Sequence, residues 1–421
     1  MRRYGVWLGA ATLSLLGTQV MAFAMAWVAA GRGGAFAGLV LTAINLPRLL
    51  LLLLGGAVAD RVGAHRVMIV ADVAMTALTL GLAGAVWRWG DRPVLLLGAA
   101  LAIGIVDAFY LPSSGSMPRL LVPGADLARA MSARQMAGQL VAFAGPALGG
   151  LVVAATGLAA VGLAAAAAAN AATFALMAAV LIAIRPQRVE AEPGGREALW
   201  RQAVDGLRTA AADRVLRPAL LTTAAAAAFL LPVSGLLVPL LARQRHWPAT
   251  SGGAVAGAIA LGMATVAGAV LLRGAHRRPS AAANAGLLVA SVGIAALAVA
   301  PGRPAAVGAG ALVGLGSGLF SAHIGPLILG ATPGTHLARI QAVLVLVQGL
   351  PLLVTNNALG ALADAGSVNT VLLFCAAALA AVTTGAHVSS SARSRMASAV
   401  VPPGGGEEPG EILQIGRARR R

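Results

Sequence analysis

Two ionisable side chains lie in the middle of long apolar runs, where a charged group is energetically unfavourable. Arg48 follows Pro47 within residues 36–58, and Asp107 lies within residues 93–116. A charge at the centre of a membrane-spanning helix costs about 2.5–3.5 kcal/mol on insertion scales, so such residues usually face a partner or a cavity. The sequence therefore predicts that Arg48 and Asp107 pair. Asp107 then serves either as a proton or cation site tuned by burial and by Arg48, or as half of a purely structural salt bridge.

Other polar and aromatic residues in the apolar runs are candidates for the wall of the same cavity. Two adjacent amides, Asn356 and Asn357, are more typical of a cavity or of helix–helix hydrogen bonds than of a lipid-facing surface. His323 is of a type that titrates near neutral pH, but it equally fits a satisfied donor between helices. A lone aromatic or amide more often packs than binds a ligand. The remaining candidates are Gln19, Phe23, Trp27, Tyr110, Gln139, Phe143, Phe320 and Gln348.

The chain that holds these residues has the composition of a membrane protein. Hydrophobic residues make up 58% of the 421 residues and charged residues only 11%, and the mean hydropathy is +0.84. All 31 basic residues are arginines, which lie in short turns rather than on one basic face and so argue against a nucleic-acid binder. The single cysteine, Cys375, lies in an apolar run and excludes a disulfide framework or a cysteine metal cluster.

The apolar runs are long enough to cross a bilayer, whose core of about 30 Å requires about 20 apolar residues per helix. Arg2 and Arg3 precede a run that is longer than the core of a signal peptide, so we interpret it as an uncleaved first helix. About twelve spans are predicted, six on either side of a central polar segment. They are residues 6–30, 36–58, 67–87, 93–116, 134–155, 158–184, 218–241, 251–272, 281–300, 304–330, 338–362 and 368–388.

A short basic turn between two spans recurs about half a chain length later. Two further matches follow in the same order and in nearly the same register, which composition alone does not explain. The repeat is direct, so it predicts two like bundles related by a pseudo-two-fold axis along the membrane normal, with a cavity between them. The matched segments are residues 56–66 with 268–277, 123–129 with 333–339, and 147–149 with 358–360.

The repeated turn and the fifth span carry motifs of a known family. The turn holds Gly56, Val58, Ala59, Asp60, Arg61, Gly63 and Arg66, and it resembles the signature loop of the major facilitator superfamily. Gly145, Pro146, Gly149 and Gly150 are similar to a motif of that superfamily's drug/proton antiporters. Residues 109–112, 118–123, 127–130, 205–208 and 213–217 resemble the enterobactin-exporter and transmembrane-secretion-effector branch. The likeness covers roughly residues 6–388.

The repeat and the resemblance together imply an all-α membrane protein of twelve helices with the major facilitator fold. The expected organisation is an N-terminal six-helix bundle over 1–184, a cytoplasmic linker with an amphipathic helix over 185–217, a C-terminal six-helix bundle over 218–388 and a disordered basic tail over 389–421. Arginines are concentrated in the loops on the side of the two termini. The positive-inside rule therefore predicts that both termini are cytoplasmic, in the inner membrane of a bacterium.

The signature turn has a mechanical interpretation. Gly56 permits close approach of helices, while Asp60 and Arg61 at the helix end bind each other or a neighbouring helix terminus and so favour one side of a rocking equilibrium. The alternative is an ordinary charged turn. Leu272 replaces Asp60 in the repeat, so the latch is expected in one half only.

This interpretation makes a prediction for the carboxylate of the turn. Replacing Asp60 with asparagine is expected to lower transport while leaving expression intact, because the variant keeps the size of the side chain but loses the charge that binds the helix terminus. Transport assays on membrane vesicles matched for protein amount check this. Transport at the wild-type rate would reject the latch.

The sequence favours a transporter over an enzyme. It has no nucleotide-binding loop, so direct drive by ATP is not expected, and no cofactor, metal or nucleic acid is expected either. We expect a monomeric secondary transporter that works by alternating access and exports small amphipathic molecules, such as drugs or secondary metabolites, in exchange for protons. Its expected partners are the small-molecule substrate, protons and membrane lipids. The alternatives are an importer or facilitator of a small polar solute, and a membrane sensor or scaffold that transports nothing.

Overall fold

Helices account for the regular structure of the chain. The computed structural model describes residues 2–184, 213, 216–274, 276–332 and 337–399. Within these ranges every regular element is helical, and 12 helices are long and apolar enough to cross a membrane. The predicted all-α class and the number of spans are confirmed, and the chain is a multi-pass integral membrane protein.

The first half consists of six long helices joined by short turns. Several of them extend past the predicted apolar runs, because residues such as Arg2 and Arg61 continue the helix beyond its apolar part. The first helix, for example, begins at Arg2 rather than at the predicted residue 6. The helices are α1 (Arg2–Ala30), α2 (Gly34–Val62), α3 (Ala64–Trp89), α4 (Pro93–Leu121), α5 (Leu127–Ala155) and α6 (Ala159–Ala183), with a 3-10 turn at Gly124–Asp126.

The second half begins with a broken span. A π-helical turn, Val233–Leu237, interrupts it directly after Pro232, which has no N–H group to continue a regular helix. The last helix continues to Ala399, past its predicted end at residue 388. The helices are α7 (Leu216–Phe229), α8 (Val238–Gln244), α9 (Ala249–Arg273), α10 (Pro279–Val299), α11 (Arg303–Ala331), α12 (Leu337–Ala365) and α13 (Val368–Ala399). Most of the predicted linker, residues 185–212, and the tail from residue 400 lie outside the described residues.

The repeated turn holds a glycine with a positive φ in both halves. Gly63 ends α2 with a φ of 97°, and its N–H donates to the carbonyl oxygen of Ala59 at 2.9 Å. Gly274 ends α9 with a φ of 81°, and its N–H donates to the carbonyl oxygen of Val270 at 2.8 Å. A residue with a Cβ atom rarely adopts this conformation, so glycine is required at both positions.

The packing of the helices repeats as well. In the first half α2 packs on α4, α3 on α6, and α1 on both α5 and α6. In the second half α9 packs on α11, α10 on α13, and α7 on both α12 and α13. These are equivalent pairs if the broken span α7–α8 corresponds to α1. The predicted pair of six-helix bundles is therefore confirmed.

The two halves meet along two helix pairs, α2 with α12 and α5 with α9. A Cβ atom on Gly34 would collide with the backbone of Gly360, and one on Gly253 would collide with the backbone of Pro146. We call the end that carries these contacts, with the turns at residues 31–33 and 366–367, the closed end. The opposite end carries the turns at residues 63, 274 and 276–278, and we call it the open end. There, Gly56, Gly138 and Gly268 have open space where a side chain would project.

Candidate functional site

The predicted charge pair forms between α2 and α4. An Nη atom of Arg48 donates to a carboxylate oxygen of Asp107, and the other Nη lies 3.5 Å from the amide oxygen of Asn45. The side chain of Arg48 is 35% exposed and that of Asp107 15%. Tight packing of α2 on α4 brings the two groups together, since a Cβ on Gly55 or Gly104 would collide with the backbone of the other helix.

The two adjacent amides of α12 differ in their contacts. The Nδ2 of Asn357 donates to the hydroxyl of Thr42 in the first half at 2.7 Å and to the carbonyl of Leu353 at 2.8 Å. Asn356 is 2% exposed, and its amide oxygen has no hydrogen-bond partner among the described residues. Asn357 therefore joins the two halves, while Asn356 retains an unused acceptor. Gly38 of α2 packs directly on the backbone of Asn356.

The glycines of the fifth-span motif serve two different interfaces. Gly145 and Gly149 pack on α1, where Cβ atoms would collide with Gln19 and Phe23. Gly150 faces the other way, and a Cβ there would lie 2.7 Å from the carbonyl oxygen of Ala249 on α9. The motif thus lets α5 approach both its own bundle and the opposite half.

Several predicted wall residues are packed between helices, and the rings of Phe23 and Trp27 also lie against Gly252 of α9 in the second half. Phe23 is buried and stacks on Trp27, with ring centroids 6.2 Å apart. Phe320 is buried where α10 crosses α11, against Gly286. Tyr110 and Gln139 are half-buried, whereas Phe143 and Gln348 are exposed. The structure brings none of these seven residues into contact with the pair of Arg48 and Asp107 through a described hydrogen bond, and their proposed role in binding remains a prediction.

His323 links α11 to the turn after α9. Its Nδ1 atom donates to the carbonyl oxygen of Leu319 at 2.8 Å, and its Nε2 atom accepts from the backbone N–H of His276 at 3.0 Å. Both ring nitrogens are therefore used by the neutral imidazole, which matches the alternative of a satisfied helix–helix contact. The side chain lines a groove of about 990 Å³ at the open end, together with Arg273 and Arg277.

The signature turn lies at the open end. Asp60, Arg61 and Arg66 are exposed there, and the described side chains offer Asp60 no ion pair within 4.0 Å. A Cβ on Gly56 would meet nothing within 4 Å. The described residues therefore offer no ion-pair partner for the predicted latch in the present conformation, and the latch remains a prediction for a conformation in which the open end closes.

Sequence reasoning missed the carboxylate that joins the halves at the closed end. Asp364, near the end of α12, accepts hydrogen bonds from the backbone N–H groups of Gly34 at 2.6 Å and Ala35 at 2.8 Å. These are the first two N–H groups of α2, which have no partner within their own helix, and Gly33 has no side chain to cap them. A carboxylate is well suited to this position because the helix N-terminus carries partial positive charge.

Arg243 adds a second polar contact across the closed end. Its guanidinium donates to the carbonyl oxygen of Trp27 at 3.1 Å and lies 4.2 Å from the centroid of the Trp27 ring. The arginine belongs to α8 and the tryptophan to α1, so the contact joins the two halves. Arg32 and Asp91 form an ion pair of 3.2 Å at the same end, but both belong to the first half.

Comparison with known proteins identifies the family. The sequence matches the Major Facilitator Superfamily over residues 7–355. The chain belongs to the major facilitator superfamily. Members of this superfamily are transporters and generally not enzymes, so the protein is a membrane transporter. No curated protein matches the sequence.

Solved transporters share the fold of this major facilitator protein at low sequence identity. The nucleoside transporter NupG has a TM-score of 0.69 at 14% identity, with 92% of this chain and 99% of that chain covered. An auto-inhibited POT family peptide transporter has a TM-score of 0.70 at 13% identity, with 97% and 99% covered. A bacterial homologue of the human lysosomal transporter Spinster, inward-facing and unoccupied, has a TM-score of 0.64 at 14% identity, with 92% and 95% covered. At such identities the likeness establishes the fold alone.

Proposed function

We propose that this transporter exports small amphipathic molecules in exchange for protons, by alternating access between its two halves. The observation that carries the proposal is the ion pair of Arg48 and Asp107 in the middle of α2 and α4. A charged pair facing lipid at this depth would be costly, so the exposed part of both side chains is assigned to the space between the halves. There Asp107 is accessible to both a proton and a cationic substrate.

The pair offers a simple coupling mechanism. While Asp107 is ionised, it holds Arg48 and attracts a cationic cargo. When a proton binds Asp107, the charge of the carboxylate is lost, Arg48 is released and the cargo loses its counter-ion. Proton and cargo therefore compete for one group, which is the requirement for exchange.

The direction of transport follows from the predicted orientation. If the arginine-rich loops are cytoplasmic, the open end faces the cytoplasm and the closed end faces outwards. The conformation described here then accepts cargo from the cytoplasm, as an exporter does at the start of its cycle. Import of a small polar solute is the second candidate, because proteins described as nucleoside and peptide transporters share the fold.

Vesicle transport of a fluorescent amphipathic cation tests both candidates. Purified protein is reconstituted into liposomes, and ethidium uptake is followed with the lumen acidic, with equal pH on both sides, and with the outside acidic. Exchange predicts accumulation only when the lumen is acidic, together with a rise in lumenal pH when ethidium is added. Ethidium uptake driven instead by an acidic outside would reject exchange and support import, and the absence of any proton movement would reject proton coupling.

The role of Asp107 is tested by replacing it with asparagine. The variant keeps the size of the side chain but cannot take up a proton, so accumulation driven by the pH gradient is expected to fall about 10-fold or more, in line with a coupling free energy of about 1–3 kcal/mol. Ethidium binding, measured by fluorescence in detergent, is expected to weaken as well and to lose its dependence on pH, because the cargo loses its counter-ion. The matched control is Asp126→Asn, since Asp126 lies in the turn before α5 and its side chain makes no capping hydrogen bond there.

A double variant separates coupling from a structural salt bridge. Arg48→Gln combined with Asp107→Asn removes both charges and leaves no buried ion unpaired. If the pair is only structural, the double variant recovers the accumulation that the single variant loses. Coupling through Asp107 predicts that the double variant folds normally and still does not accumulate ethidium.

A further inference from the structure

A second carboxyl group is buried inside the first half, away from the ion pair. Asp72 lies on α3, and its side chain is 0% exposed. Met68 and Met75, one turn away on either side, are also buried, so this face of α3 points into the bundle. The predicted span of residues 67–87 includes Asp72, yet nothing in its neighbours along the chain singled it out.

Among the described residues, Asp72 has no partner that would stabilise a negative charge. Neither carboxylate oxygen has a hydrogen-bond partner among the described residues. An ionised carboxylate buried without a counter-ion or hydrogen bonds is among the most costly groups in a protein interior, whereas its protonated form costs far less. Burial and isolation together therefore favour a neutral, protonated Asp72 in this conformation.

The surrounding helices supply few ionisable groups. α3 packs on α6 and α4 and, less extensively, on α2. α6 carries no ionisable side chain. The charged residues of α2 are Arg48, which is bound to Asp107, and Asp60 and Arg61, which are exposed at the end of the helix. α4 carries Asp107, Tyr110 and the exposed Arg119. Tyr110 lies one turn from Asp107 on α4, and it packs against the buried cluster that includes Met68, one turn before Asp72 on α3. A tyrosine hydroxyl both donates and accepts, so Tyr110 can pass a proton between two carboxyl groups.

Arg134, which packs on α4, is bound to other groups. Arg134 donates to the carbonyl oxygen of Ser114 at 2.8 Å and to its hydroxyl at 3.3 Å, and it lies 5.7 Å from the centroid of the Trp7 ring. It therefore does not act as a counter-ion that is hydrogen-bonded to Asp72.

We propose that Asp72 is a second proton-binding site of the transport cycle, loaded in this conformation and exchanging its proton with Asp107 by way of Tyr110. The inference rests on the proposed proton coupling. In the exchange, the Asp72 proton moves to the Tyr110 oxygen while the Tyr110 hydroxyl proton moves to Asp107. Asp72 becomes a carboxylate, Tyr110 is unchanged, and Asp107 becomes neutral and releases Arg48.

Infrared spectroscopy tests the protonation of Asp72 without any transport. The wild-type protein at neutral pH is expected to show the C=O stretch of a protonated carboxyl group, and Asp72→Asn is expected to lose it. Asp107→Asn and Asp126→Asn are expected to keep the band. Absence of the band from the wild type, or its persistence in Asp72→Asn, would overturn the inference. Loss of the band on addition of sodium chloride would also overturn the inference, because the site would then bind a metal cation.

Transport by the same variants tests whether the proton is used. Asp72→Asn mimics the protonated side chain, so it is expected to bind ethidium normally and to accumulate it about 10-fold less under a pH gradient. Asp72→Glu is expected to restore accumulation with a shifted pH profile, which a merely structural role would not produce. Accumulation and proton-to-ethidium ratio equal to those of the wild type in Asp72→Asn would refute a role in the cycle.

The two tyrosines of the chain provide a matched pair for the relay. Tyr110→Phe is expected to slow proton release by the reconstituted protein, because it removes the hydroxyl through which the proton is proposed to pass. Tyr4→Phe is the control, since the Tyr4 hydroxyl donates to the carbonyl oxygen of Ala130 at 2.5 Å instead. Equal rates of proton release in both variants would remove Tyr110 from the proposal.

The variants also distinguish failure of this inference from failure of the proposed function. If Asp107→Asn abolishes coupling while Asp72→Asn does not, only this inference fails. If the wild type moves no protons, the proposed function fails first.

Discussion

Replacing Asp364 with asparagine is expected to open the closed end. The Asp364 carboxylate accepts two hydrogen bonds from the N-terminus of α2, across the boundary between the halves. Hydrogen bonds to a charged group contribute about 1.5–3 kcal/mol, but Asp364 is exposed and solvent screens part of this, so we expect a loss of about 1–2 kcal/mol. The ratio of closed-end to opened molecules should therefore fall roughly 5- to 30-fold.

Distances between spin labels measure this shift. Val94 in the first half and Val299 in the second are exposed beside turns at the closed end, and both accept a labelled cysteine in a background where Cys375, the only native cysteine, is replaced by alanine. The Asp364→Asn variant in nanodiscs is expected to gain population at longer distances. Asp126→Asn is the matched control, because Asp126 lies in the turn before α5, at the open end, and its side chain makes no capping hydrogen bond there. An unchanged distance distribution in Asp364→Asn would show that this contact does not hold the closed end together.

Replacing Gly38 with valine is expected to separate α2 from α12. A Cβ on Gly38 would collide with the backbone carbonyl of Asn356, which cannot move aside as a flexible side chain can. Overpacking of this kind costs about 1–3 kcal/mol, and here the cost falls only on the conformation in which the halves meet at the closed end. Because alternating access visits that conformation in every cycle, ethidium exchange should fall about 10-fold or more.

Two measurements distinguish a conformational effect from a folding defect. The same pair of spin labels should show longer distances in Gly38→Val, and the melting temperature should change little because each bundle keeps its own core. Gly81→Val is the control, since a Cβ at Gly81 on α3 meets nothing within 4 Å. A Gly38→Val protein that exchanges ethidium at the wild-type rate would show that the close approach of the two helices is not needed for transport.

The closed end and the signature turn lie at opposite ends of the same helix. α2 begins at Gly34, where Asp364 binds it from the opposite half, and it ends near Asp60, which has no ion-pair partner in the described part of the structure. If the predicted latch forms when the open end closes, α2 is held at one end in each of the two extreme conformations. Asp364→Asn and Asp60→Asn should then shift the same equilibrium in opposite directions.

The architecture was predictable because it depends on the composition and backbone hydrogen bonding of contiguous segments of the chain. A span must be apolar and must satisfy its own backbone hydrogen bonds, so hydropathy alone predicts its position. The duplicated turn predicted two like halves, and Gly63 and Gly274 do both have a positive φ. The pair of Arg48 and Asp107 was predictable for a similar reason, since two lone charges at mid-span have few stable alternatives to each other.

The contacts of individual side chains were not predictable in the same way. Asp364 and Gly34 are separated by 330 residues, and no local pattern relates a carboxylate near one helix end to the first N–H groups of another. The isolation of Asp72 and the two hydrogen bonds of His323 likewise depend on how their helices are rotated. From the sequence, Asp72 was one polar residue in an apolar run, and His323 fitted the cavity wall as well as a contact between helices.

By itself the sequence determined the lipid environment, the number of helices, the duplication and the superfamily, because composition, span length and backbone conformation depend on neighbouring residues. Only the tertiary structure decided which end of the molecule is closed, which carboxylate joins the halves there and which carboxyl group is buried without a partner. These depend on the rotation and tilt of packed helices, where a turn of one helix by a single residue position would give each side chain a different neighbour.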